Sequence, residues 1–199
     1  MTGFARFAVA ALMAGSLFAA LSQAQSEDVF AFIPDGGRTL LTRIFESKPP
    51  PEDIGALLTG SLDSDGWLAD LKARGGTIPA LGRLGDQEML TLADYLSYNM
   101  PLAADRVPAD VTRADWTKIL PMDGRDIALN YCQSCHIITV VITQDRTREA
   151  WLGSLGKPSH VEIELTPRQR EALASYLVVN AAIPIDLVPE ELRAGGATY

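Results

Sequence analysis

From Gln25 onward, apolar residues recur at helical spacing, and no alternating run of β-branched residues is long enough to predict a sheet. One clear helix carries apolar residues from Met89 to Leu96 and stops before Pro101. Another begins at Thr166-Pro167, a capping residue followed by proline at the first helical position, and ends near Asn180. The pattern predicts an all-α protein.

These two helices are copies of each other. Leu92–Asn99 (LADYLSYN) matches Leu173–Asn180 (LASYLVVN) at an offset of 81 residues. Two further matches precede them in the same order: Trp67-Leu68 with Trp151-Leu152 at an offset of 84, and Asp35–Arg38 with Met122–Arg125 at an offset of 87. Three ordered matches predict a duplicated unit of about 80 residues, with the boundary between Pro101 and Asp115.

The first residues are typical of a secretory signal. Arg6 precedes an apolar run from Ala8 to Leu21, and the small residues at Ser22–Ala24 provide a cleavage site. The run is short for a spanning helix, which needs about 20 apolar residues, although an uncleaved anchor is the alternative. We therefore expect residues 1–24 to be a signal peptide, and a periplasmic protein with no membrane span after cleavage.

The remaining chain divides by the repeat into residues 25–105, residues 113–190 and a tail of residues 191–199. Hydrophobic residues make up 47% of the chain and charged residues 21%, which is the composition of a globular protein. The 17 Lys+Arg against 25 Asp+Glu leave a net charge of −8. This acidity argues against a nucleic-acid partner, because phosphate binding requires a basic surface.

The chain has only two cysteines and two histidines, and three of these four residues lie in Cys132-Gln-Ser-Cys135-His136. C-x-x-C-H is typical of covalent attachment of haem c. Two thiols one helical turn apart each add to a vinyl group of the porphyrin, and the following histidine becomes the proximal ligand of the iron. The motif predicts one covalent haem, held by Cys132 and Cys135, with His136 on the iron.

Three other interpretations of the C-x-x-C-H motif agree less well with the rest of the sequence. A thioredoxin-like C-x-x-C follows a strand, and no strand pattern precedes Cys132. A structural zinc site requires four ligands, and too few Cys and His remain to supply them. A plain disulfide leaves the adjacent His136 without a role.

Residues Asp115 to Pro184 resemble the class I cytochrome c family. The resemblance rests on Gly124-Arg125, the Cys132–His136 motif, and the closing helix with Leu173, Tyr176 and Leu177. It implies an all-α fold around one haem, in which the first and last helices cross. Through the repeat, Phe30–Pro101 resembles the same fold.

The first unit has no haem motif. Phe45–Pro49 aligns with the motif and contains neither cysteine nor histidine. We therefore expect two tandem cytochrome c-like helical domains, of which only the second carries haem, while side chains fill the corresponding space in the first.

The sixth ligand departs from the family pattern, in which a methionine precedes the last helix. All five methionines precede His136, and His160 is the conventional ligand in the corresponding loop. We expect His160 to be the distal ligand; Met122, Met100 and a five-coordinate iron are the alternatives. A second imidazole places the potential below that of a methionine-ligated haem.

Several other residues are candidates for contact with the cofactor. Arg146, Arg148 and Lys157 suit the haem propionates, since guanidinium matches carboxylate geometry, but a solvated charged loop explains them equally well. Trp151 either faces the cofactor or packs in the core, as its copy Trp67 would.

The leading functional hypothesis is transfer of single electrons, as the electron-transfer subunit of a periplasmic dehydrogenase. The redox partner is then a catalytic dehydrogenase subunit or another cytochrome. No acid/base pair or nucleophile indicates an enzyme in its own right, and the haem-less unit would serve as a docking surface. The alternatives are a haem-based gas-binding or sensor module, and a small haem enzyme with an open distal site.

Overall fold

The computed structural model describes residues 28–193, so the predicted signal peptide and residues 194–199 lie outside the described part. The described chain is all-α, as the apolar spacing predicts, and contains no strand within those residues. Its α-helices are α1 (Gly37–Glu46), α2 (Pro51–Thr59), α3 (Ser64–Arg74), α4 (Asp86–Asn99), α5 (Trp116–Ile119), α6 (Gly124–Ile127), α7 (Thr139–Ile142), α8 (Arg148–Leu155), α9 (Pro158–Val161) and α10 (Pro167–Asn180). Between positions 28 and 193, none is long and apolar enough to cross a membrane.

The buried apolar residues form two clusters. The first core is built mainly by α1 to α4, around Leu40, Trp67 and Leu92. The second core is built mainly by α6, α8 and α10, around Ile127 and Leu173. Each cluster therefore draws most of its residues from one copy of the repeat.

The first and last helices of each copy cross at a glycine. A Cβ added to Gly37 would lie 2.1 Å from Cβ of Tyr95, and a Cβ added to Gly124 would lie 2.1 Å from Cβ of Tyr176. These glycines and tyrosines are equivalent at the offsets of 87 and 81 found in the sequence. The same close helix crossing therefore occurs once in each copy.

The two copies pack together through α4 and α10, and their contacts are reciprocal. Gln87 Nε2 donates to the Val179 carbonyl over 3.0 Å. Arg168, the equivalent of Gln87, donates to the carbonyl of Tyr98, the equivalent of Val179. Ser175 is the equivalent of Asp94 in the second copy, and the two residues are in direct contact: Ser175 Oγ donates to Asp94 Oδ2 over 2.6 Å. An approximate two-fold axis therefore passes between α4 and α10.

The segments that precede α1 and α6 are exchanged between the two cores. Ile33 packs in the second core, and its equivalent Leu120 packs in the first. Tyr176 Oη donates to the Pro34 carbonyl over 2.6 Å, and Tyr95 Oη donates to the Pro121 carbonyl over 2.9 Å. Each copy thus contributes one short segment to the packing of the other.

Candidate cofactor site

The C-x-x-C-H motif lies at the end of an irregular helix. After α6 the chain continues as a π-helical turn, Ala128–Cys132, a feature often found at functional sites. The backbone N–H of His136 then donates to the Cys132 carbonyl over 3.0 Å, which closes the motif into a turn. Cys132 is half-buried, whereas Cys135 and His136 are exposed.

Both cysteines are free thiols. Burial, with a smaller contribution from Cys135, raises the pKa of Cys132 to about 11. Redox-active C-x-x-C motifs lower a cysteine pKa instead, because the thiolate is the reactive form. The environment of Cys132 therefore does not favour thioredoxin-like chemistry.

An open, mostly apolar cavity separates the motif from the loop before α10. Cys132, Cys135 and His136 line one side, and His160 lines the other. Half of the remaining apolar lining comes from α8 and α10: Trp151, Leu155, Leu173 and Leu177. Sequence positions up to 46 residues apart, from Tyr131 to Leu177, thus converge on one pocket.

The two histidines face each other across this cavity. Their ring centroids are 6.0 Å apart, and the ring planes are tilted by 57°. Two metal–imidazole bonds of about 2.0–2.1 Å each, with about 1.1 Å from each nitrogen to its ring centre, add to about 6.2–6.4 Å. The distance between the His136 and His160 ring centres is therefore close to the length that one metal ion between two imidazoles requires.

A hydrogen bond orients the His160 ring. Its Nδ1 lies 2.8 Å from the Ser154 carbonyl, which can only accept, so Nδ1 carries the proton of the neutral ring. The lone pair then resides on Nε2. An imidazole that donates its other N–H to a backbone carbonyl is the usual arrangement of a metal-binding histidine.

Polar groups in the cavity suit the acidic edge of a porphyrin. Trp151 is 6% exposed, and its buried Nε1 has no hydrogen-bond partner among residues 28–193. The Arg146 guanidinium lies over the Trp151 ring, 5.1 Å from its centre, and Lys157 lines the same cavity. An unpartnered buried N–H is costly. Trp67 Nε1 in the first core is unpartnered in the same way, so this atom does not by itself indicate a ligand, and the positive groups Arg146 and Lys157 are the ones that suit carboxylates. Together with two thiols and two imidazoles, these residues fit haem c.

Three other residues considered in the sequence lie away from the cavity. Arg148 is not in its lining; it pairs with Glu171 and donates to Tyr98 Oη over 3.1 Å, so it joins the two copies. Met100 is buried in the first core. Met122 packs beside the second core, outside the cavity lining. His160 is thus the imidazole opposite His136, and neither methionine competes with it there.

The matching position of the first copy holds an aromatic ring. Phe45 aligns with Cys132, is 3% exposed, and packs against Trp116 with ring centroids 4.5 Å apart. Trp116 comes from the exchanged segment before α6. A buried aromatic pair therefore occupies the end of α1, where the second copy places its thiol.

Sequence reasoning missed Arg170, whose guanidinium contacts the loop that carries His160. The repeat contains a signal for it, because Arg170 aligns with the buried Met89 of an otherwise similar helix. An arginine in place of a core methionine indicates a polar contact specific to the second copy.

A separate metal cluster is not indicated, since residues 28–193 contain no group of three or more His, Cys, Asp or Glu side chains suited to a metal ion. Comparisons of the chain with protein-family models, curated proteins and solved structures find no match. Interpretation of the site therefore rests on its own residues.

Proposed function

We propose that this protein is a mono-haem c-type cytochrome that transfers single electrons. The haem would be attached through Cys132 and Cys135, with His136 and His160 as the two axial ligands. The observation that carries the proposal is the separation of 6.0 Å between the two imidazole rings, across a cavity that both thiols also line.

The haem, when bound, supplies a one-electron couple, and the protein sets its potential through ligands, burial and hydrogen bonds. His136 and His160 would both hold the iron, and with two imidazoles bound the iron would offer no open site for a substrate or gas. Leu155, Leu173 and Leu177 present an apolar wall that limits the access of water. Trp151, Arg146 and Lys157 offer the donors and positive charge that propionates require.

Electron exchange requires an edge of the cofactor near the surface. Cys135 is exposed, and Ile137, directly after the motif, is 51% exposed. The thioether edge is therefore the proposed site of contact with a redox partner. We propose a catalytic dehydrogenase subunit or another cytochrome, in the periplasm; the net charge of −8 favours a partner with a basic contact surface.

Mass and absorption test this proposal together. The full chain is produced in a host with haem-attachment machinery, and intact mass is expected to equal the polypeptide beginning near Gln25 plus one haem. The reduced protein is expected to be low-spin and unchanged by carbon monoxide. A mass without haem, or with two, refutes the attachment. A spectrum that changes with carbon monoxide indicates a gas-binding module or a haem enzyme instead.

A further inference from the structure

The Arg170 side chain donates to four carbonyl groups, one at the end of α8 and three in the distal loop, the segment of residues 160–163. Its Nη1 donates to the carbonyls of Leu155 and His160 over 2.9 and 3.0 Å. Its Nη2 donates to the carbonyls of Val161 and Ile163 over 3.1 and 2.8 Å. Among residues 28–193 it forms no ion pair, so these carbonyls are the partners of its charge. One guanidinium therefore joins the end of α8 to the segment around His160.

That segment reaches the second core only after α9, through Ile163 and Leu165. The helix α9 has four residues and none of them is buried, and Val161 is 54% exposed. Segments with few buried apolar contacts open locally at low free-energy cost. The position of α9, and with it His160, therefore depends on hydrogen bonds more than on packing of α9 itself, and Arg170 supplies three of these bonds.

The first copy of the repeat lacks both parts of this arrangement. Met89 stands at the position of Arg170, is 7% exposed and belongs to the first core. Residues 75–85, which precede α4, contain no histidine. The arginine thus occurs in the copy that also has the distal histidine and the thiols.

We infer that Arg170 is a positioning residue for the distal ligand: it holds the backbone of His160 so that Nε2 faces His136 across the cavity. This inference rests on the proposed function. Arg170 acts through carbonyl groups, and the Ser154 carbonyl fixes the ring itself. Removing the guanidinium would free the segment without altering the imidazole, and in the proposed holoprotein His160 would then leave the iron part of the time.

The test compares holoprotein of the wild type, Arg170→Met and Arg168→Met. Arg168 is the matched control, because it lies on the same helix and donates to the carbonyls of Ser97 and Tyr98, away from the distal loop. Carbon monoxide binding by the reduced protein is followed by absorption. We expect Arg170→Met to bind it at least about tenfold faster than the wild type, since losing one charge-assisted hydrogen bond already corresponds to that factor. Arg168→Met should match the wild type.

The outcomes separate the two levels of the argument. A wild type that is high-spin, or that shows a methionine-to-iron band, overturns the proposed ligand set. A low-spin, bis-imidazole wild type with Arg170→Met no faster than Arg168→Met overturns the role of Arg170. If Arg170→Met yields no folded holoprotein, Arg170→Lys decides, because an ammonium cannot span all four carbonyls. An increased rate in Arg170→Lys supports the inference, and a wild-type rate overturns it.

Discussion

The backbone N–H of Arg38 donates to Asp123 Oδ2 over 2.8 Å, across the junction of the two copies. The other carboxylate oxygen of Asp123 accepts from the N–H of Asp126 over 2.9 Å. One side chain therefore caps the first helix of both copies, α1 and α6. Gly36, the equivalent of Asp123, makes room for it: a Cβ on Gly36 would lie 2.0 Å from that carboxylate.

The first prediction concerns the pH dependence of stability. Burial, with a contribution from Asp126, raises the pKa of Asp123 to about 6 from its ordinary value of 3.8. The folded protein binds this proton more tightly than the unfolded chain, so the stabilisation is complete below about pH 4 and is lost as the pH rises to about 6. Urea unfolding is measured for the wild type and Asp123→Asn at each pH.

The difference in unfolding free energy, wild type minus Asp123→Asn, should fall between about pH 4 and pH 6 and remain level above it. Carboxyl groups that do not interact with Asp123 contribute equally to both proteins and cancel in this difference, whereas Asp126, whose charge acts on Asp123, is part of the measured effect. A difference that rises with pH over that range would show that Asp123 is ionised more easily in the folded protein, contrary to the prediction.

The second prediction concerns the helix crossings. Gly37→Ala and Gly124→Ala each place a methyl group 2.1 Å from a tyrosine Cβ, so α4 or α10 must shift. Each substitution should cost about 1–3 kcal/mol of unfolding free energy, as overpacking does. Gly153→Ala is the control, because Gly153 lies within α8 with no atom within 4 Å of the added Cβ. It should be neutral or stabilising by up to about 1 kcal/mol. Equal effects at all three positions would contradict the close crossing.

The third prediction concerns the sixth ligand. His160→Ala should convert the iron toward high spin and allow carbon monoxide to bind, because it removes the second imidazole. His160→Met should raise the potential if its thioether reaches the iron. The wild type should lack the near-infrared band that marks methionine ligation. Observing that band in the wild type would contradict both the His160 ligand and the positions of Met122 and Met100 outside the cavity.

The fourth prediction concerns the unpartnered indole. Trp151→Phe retains a ring but removes the N–H. In the proposed holoprotein, a propionate hydrogen-bonded to that N–H would lose a donor, and its negative charge would act more strongly on the iron. The potential should fall on the order of tens of millivolts. Trp67→Phe is the matched control, because Trp67 Nε1 is also buried without a partner but lies in the first core. A potential unchanged in both variants would restrict Trp151 to core packing.

The two copies of the repeat pack against each other, and this packing indicates a structural role for the first copy. Ile33 and Leu120 lie in each other's cores, and Asn180 Nδ2 donates to Thr91 Oγ1 over 2.9 Å in the buried contact between α4 and α10. Removing the first copy would expose the face of α10 that is buried against α4. The packing therefore supports a structural contribution from the first copy, beside the docking role proposed for it.

Local patterns in the sequence are enough to predict the helices and to recognise the C-x-x-C-H motif. Helical spacing, the Thr166-Pro167 start and the repeat between Leu92–Asn99 and Leu173–Asn180 depend on neighbouring residues, so one sequence is enough to recognise them. The Cys132–His136 motif is equally local, because its chemistry requires adjacent residues. The prediction that His160 is the distal ligand rests on its position before the last helix and on elimination, since the chain contains one other histidine and no methionine follows His136.

Tertiary structure decided everything that depends on residues distant in the chain. Three examples arise where separate helices meet. His160 lies opposite His136, Arg148 joins the two copies, and Arg170 contacts four carbonyl groups. Sequence determines which groups are available and in which helices they lie. Their mutual distances follow only from packing, because Asp123 and Arg38, 85 residues apart, become neighbours through the burial of α4 against α10.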